Sequence, residues 1–100
     1  MNATSKSLPK NKFLLYIGDE TSNSMLAVAN LTALCRQYLP DHHEIEVVNV
    51  FKEPKRALAD RIFMTPILIR LAPSPLRRII GTLSQPEKVL RALGLDVLAT

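Results

Sequence analysis

A chain of 100 residues, 47% of them hydrophobic, has the length of one domain and enough apolar side chains for a packed core. Its net charge of +4 suits an acidic protein partner better than nucleic acid, because acidic residues are interspersed, aromatics are 5%, and zinc-finger, RNP-type and Gly-rich phosphate-loop patterns are missing. No stretch is long and apolar enough for a membrane span, and "MNATSKSLPKNK" lacks the apolar middle of a signal peptide, so a cytoplasmic protein with no membrane partner is expected.

Residues 1–11 read as a polar arm, 12–95 as the domain and 96–100 as a short tail. "KFLLYI" (12–17) is a continuous apolar run and reads as a strand buried on both faces. "GDETSNS" follows, rich in helix-capping side chains. Val28, Leu31, Leu34, Cys35 and Tyr38 then form one apolar stripe along a helix over 23–39. "EIEVVNV" (44–50) alternates and reads as a strand. Glu53-Pro54 opens a helix with Leu58 and Ile62 four apart. "PILIRL" (66–71) and "RRIIGTL" (77–83) read as strands joined through Pro73-Ser74-Pro75. Ser84 and Glu87 have capping-box spacing ahead of a last helix, with Gly94 placed to end it.

The order is β-α-β-α-β-β-α, with parallel pairs where a helix intervenes and a final antiparallel hairpin. That is the thioredoxin-like order, in which a cis-proline commonly opens the third strand, where Thr65-Pro66 sits. Fold likeness carries no chemistry with it. Dithiol exchange needs a low-pKa cysteine at the start of the first helix with a resolving cysteine beside it. Here Cys35, the single cysteine, stands about three turns later on the apolar stripe and reads as a core thiol. Thr21 or Ser22 in a glutathione-transferase role lacks the helical second domain of those enzymes. Asp19 and Glu20 read as solvated loop carboxylates, and His42 and His43 as loop histidines without a partner at metal spacing. No enzyme activity, metal or cofactor is expected.

The segment "TPILIRLAPSPLRRIIGTLSQPEKVLRAL" closely resembles the KaiB family of circadian clock proteins. Thr65, Pro66, Arg70, Pro73, Pro75, Arg77, Arg78, Ile79, Ile80, Gly81, Leu83, Ser84, Glu87, Lys88, Val89 and Leu90 carry the likeness. "LYIGDETSNS" and "VNVFKEP" extend it to about residues 12–95 without a gap. The resemblance implies a non-enzymatic protein that binds the ATPase ring of a KaiC-like protein as a thioredoxin-like βαβαββα monomer. It also implies a metamorphic fold: a free homo-oligomer, tetramer or dimer, with the alternative βαββααβ order. Prolines inside a prospective sheet weaken any single pairing, which suits two competing packings; the plainer reading is that they terminate strands.

On this resemblance the partner-binding residues are Arg61, Arg70, Arg77, Arg78 and Lys52, and the fold-switch positions are Pro66, Pro73, Pro75 and Gly81. Ser74, Thr82, Glu46 and Leu26 depart from the pattern of the cyanobacterial clock members. Changed charges on a docking face alter partner choice before they alter fold, which points to a divergent paralogue. A docking module for a clock-associated histidine kinase or another ATPase is the alternative reading.

Overall fold

The computed structural model describes residues 10–19 and 21–95. The chain order is β1 (Asn11–Ile17), α1 (Ser22–Tyr38), β2 (His43–Asn49), α2 (Pro54–Ala59), β3 (Ile67–Ala72), β4 (Arg77–Ile80) and α3 (Pro86–Ala92). This is the βαβαββα order, not the βαββααβ order expected of a free tetramer. Most of the expected arm and the whole expected tail lie outside the described residues, as does Glu20. The fold begins at Asn11, one residue before the expected domain start.

The sheet runs β2-β1-β3-β4. β1 pairs parallel with β2 and antiparallel with β3, and β3 pairs antiparallel with β4. The 17 residues of α1 rise about 25 Å, enough to carry the chain back along β1 and start β2 in parallel. The six residues of α2 rise only about 9 Å, against about 23 Å for a seven-residue strand. The chain therefore enters β3 from the end at which β2 stops. This corrects the expectation that every helix-linked pair of strands is parallel.

β1 is buried from Phe13 to Ile17, and its pleat divides the core. Phe13, Leu15 and Ile17 pack with Leu31, Leu34 and Cys35 of α1, Leu68 of β3, and Val89 and Leu90 of α3. Leu14 and Tyr16 face the other way, against Val48, Ala57, Ile67 and Ile69. The first face carries two helices. The second carries only α2.

Thr21 caps α1, its Oγ1 accepting from the Ser24 amide at 3.2 Å. The capping box at Ser84 does not form. Pro86 takes the first helical position, so Gln85 becomes the cap residue, and the Ser84 hydroxyl lies 3.0 Å from that of Thr82 instead. α3 ends as expected at Gly94, whose φ of +72° is left-handed. There the Leu95 amide donates to Leu90 O at 2.8 Å and the Gly94 amide to Arg91 O at 3.0 Å. Pro66, Pro73 and Pro75 flank β3 and β4 rather than interrupt them, and each follows a cis peptide bond. In this arrangement they terminate strands.

Candidate partner-docking surface

α2 is held to the sheet by polar ties at both ends. Glu46 on β2 accepts two hydrogen bonds from the Arg56 guanidinium, at 2.7 and 2.8 Å. That pairing holds the Glu46 carboxyl below its ordinary pKa. At the other end the buried Tyr16 hydroxyl donates to the Asp60 carboxylate. Burial first, and then Asp60, push the Tyr16 pKa up to about 12. The departure at Glu46 thus has a structural role on the outer strand of the sheet.

The helix closes in a left-handed turn made by Arg61, at φ +57°. The Ile62 amide donates to Ala57 O at 2.9 Å and the Arg61 amide to Leu58 O at 3.0 Å, the same closure that α3 makes with glycine. An L-residue there costs roughly 1 kcal/mol of backbone strain, and Arg61 keeps an exposed side chain in return. Arg78 joins it: its Nη2 donates to Asp60 O at 2.6 Å, immediately before Arg61 in the chain.

The two neighbouring arginines of β4 part company. Arg78 pairs with Ile69 and Arg77 with Arg70 across the β3–β4 ladder. Ile69 faces α2, while Leu68, and hence Arg70 two residues on, faces α1 and α3. Arg78 therefore lies on the α2 face with Arg61, and Arg77 on the opposite one. Arg70 is corrected outright. It is 4% exposed and bonds Leu93 O through Nη1 at 2.6 Å and Pro75 O through Nη2 at 3.0 Å. It ties β3 to the end of α3 and to the β3–β4 connection, and is not part of a surface. Lys52 is exposed in the turn after β2, next to Phe51. Gly81 follows β4 at φ +116°, its amide donating to Pro66 O at 2.9 Å.

The sequence reading missed the apolar part of this surface. Phe63 is 82% exposed, Phe51 73% and Leu58 70%, with Met64 and Ile80 also largely open. The helix read from the four-residue spacing of Leu58 and Ile62 ends at Ala59, so Ala57 takes the inward position and Ile62 lies beyond the helix, half-buried. The signal was the shortness of α2, which leaves Phe63 and Met64 in the loop beyond it. Exposed Leu58, Phe63 and Met64 on and just after α2, with Arg61 between them in the chain and Arg78 bonded to Asp60 O, suit macromolecular docking better than a small ligand.

The remaining candidates are not brought together. Cys35 is fully buried, and burial pushes its thiol up to about 12. It is expected to resist a thiol reagent in the folded protein and to react at once in denaturant; rapid modification of native protein would overturn this. Cys35→Ala should cost about 1 kcal/mol. Thr21 Oγ1 is engaged by Ser24, and His43 Nδ1 lies 2.7 Å from Leu39 O. Among the described residues no group of three His, Cys, Asp or Glu could hold a metal ion. No helix among them is long and apolar enough to cross a membrane.

Comparison with known proteins fits this frame. The N-terminal domain of Synechococcus elongatus SasA superposes with a TM-score of 0.72 at 16% identity, over 93% of this chain and 88% of that one. Mitochondrial thioredoxin 3 from Saccharomyces cerevisiae gives 0.68 at 15%, over 86% and 78%. Both likenesses show the thioredoxin-like fold alone. In sequence, the circadian clock protein KaiB3 of Synechocystis sp. is 43% identical over 83 residues, 83% of this chain and 79% of that protein. The circadian clock oscillator protein KaiB of Prochlorococcus marinus is 42% identical over 84 residues, 84% and 78% respectively. The KaiB domain matches residues 14–95, nearly the whole described fold, and on that match the chain belongs to the KaiB family.

Proposed function

We propose that the protein is a non-enzymatic regulator that docks its α2 face on the ATPase ring of a KaiC-like protein and modulates that protein's phosphorylation and ATPase cycle. The observation that carries this is the end of α2, where exposed Leu58, Arg61 and Phe63 follow closely in the chain and Arg78 bonds the Asp60 carbonyl among them. An apolar centre with a cationic rim fits an acidic, partly apolar partner surface. Membership of a family whose relatives are named as clock proteins supports a partner within a clock system. The free protein self-associates, as a tetramer or dimer, with residues 52–95 rearranged into the βαββααβ order, because exposed apolar side chains on α2 and its following loop gain by burial between subunits.

Sedimentation of the protein with and without a purified KaiC-like hexamer, with and without ATP, tests the docking. A saturable complex and an altered phosphorylation time course are expected. No complex at tens of micromolar, or a complex with a histidine kinase instead, would refute it. NMR of residues 52–95 in dilute free and bound protein tests the rearrangement: one secondary structure in both samples would end that part of the proposal.

A further inference from the structure

β4 ends the sheet, and among the described residues no strand pairs with its outer edge. The backbone there has a definite polarity. The Gly81 amide bonds inward to Pro66 O at 2.9 Å, and the ladder pairs Ile79 with Leu68 and Arg77 with Arg70. Bonded and non-bonded pairs alternate along an antiparallel ladder, so residues 77, 79 and 81 bond inward. The amide and carbonyl of Arg78 and Ile80 therefore point outward, away from β3.

Beside this edge, on the α3 side, lies a groove of about 420 Å³ lined by Ile79, Leu83, Val89 and Ala92, with Lys88 as its charged side chain. No acidic residue lines it. Cations stand at the first half of the strand, Arg77 towards the α3 side and Arg78 towards the α2 side, and isoleucines at the second half. A strand laid along β4 thus meets a fixed pattern: charge opposite 77 and 78, apolar surface opposite 79 and 80. In a second copy paired antiparallel through its own outward residues, Arg78 would face Ile80 and Arg77 would face Gly81, so neither arginine would meet a counter-charge.

We propose that the β4 edge binds an extended acidic segment of a partner protein as an added strand. Its two acids would oppose Arg77 and Arg78, and two β-branched residues would oppose Ile79 and Ile80, one of them entering the α3 groove. Main-chain bonds to Arg78 and Ile80 supply the pairing, and the side chains supply the order. This edge shares Arg78 and Ile80 with the α2 face, but Leu58 and Phe63 take no part in it.

The probe is a capped peptide with the core Val-Val-Glu-Glu, titrated into the full-length protein at a dilution where amide NMR shows residues 77–80 as the strand β4 of the βαβαββα form. The Arg78 and Ile80 amides are expected to shift most, and their hydrogen exchange to slow about tenfold or more at saturation. Ile80→Pro removes an outward amide that the β3 ladder does not use, and should weaken the peptide by about tenfold. If that variant misfolds, a peptide N-methylated at its bonding residues should fail in the same way against the wild-type protein. Leu58→Glu, on the α2 face, should leave the affinity unchanged. The proposal falls if the peptide shows no binding at about 1 mM, a weak affinity by any standard. It also falls if the shifts gather on Leu58 and Phe63, or if the edge amides become protected with protein concentration alone, which would make the occupant a second copy.

Discussion

Arg70→Met is expected to cost about 3 kcal/mol of stability, the largest loss among the charged positions of this protein. Arg70 sits inside the fold with its guanidinium between the last carbonyls of α3 and the β3–β4 connection. Burial, and the charge of Arg77, pull its pKa down, but guanidinium keeps its proton. Its cation meets the negative end of α3, at Leu93 O, which offsets part of the burial cost. Methionine fills similar space and leaves the carbonyls of Leu93 and Pro75 without this donor. In a domain of this size the melting temperature should fall by about 10 °C or more. Arg70→Lys, with one point charge in place of a fork, should fall between the two. An unchanged melting curve for Arg70→Met would refute the structural role, and lost partner binding at full stability would return Arg70 to the docking surface.

Leu58→Glu combined with Phe63→Asp should weaken association with the KaiC-like ring by roughly 2–4 kcal/mol, the size of a central contact. Stability of the free βαβαββα form should change by less than about 0.5 kcal/mol, because both side chains already face water. The arginines give a sharper contrast. Arg61→Glu and Arg78→Glu act on the α2 face and should each weaken binding about tenfold, whereas Arg77→Glu, on the other face, should do much less. Isothermal titration against the purified ring, with circular dichroism on each variant, measures both quantities. Equal losses for the Arg77 and Arg78 variants would show that the docking face has been misplaced.

Element types and order were legible in the sequence because local signals there agree with the final packing. The apolar run at 12–17, the stripe through Leu31, Leu34 and Cys35, and the glycine at 94 each specify one solution by themselves. The family was legible too, through residues clustered between Thr65 and Leu90. Most boundaries shifted by about one residue, but β4 stops at Ile80, three residues before its expected end, α2 stops short of Ile62, and the α3 cap moved where a proline outvoted a serine.

The docking face was only half legible. Exposed Leu58 and Phe63 look, in sequence, like core residues, since apolar character does not say whether a neighbour arrives to cover it. The roles of the arginines were divided by tertiary structure alone. One side chain at 70 turned inward because the end of α3 and the Pro75 carbonyl offered it bonds. Adjacent side chains at 77 and 78 were sent to opposite faces by the pleat, and the register with β3 fixed which went where. The sequence by itself determined the elements of the βαβαββα form, because these rest on contacts within a few turns of chain, and the family, through the residues between Thr65 and Leu90. Which arginines reach the surface, and on which face, depended on contacts between residues far apart in the chain, and those exist only once the sheet has closed.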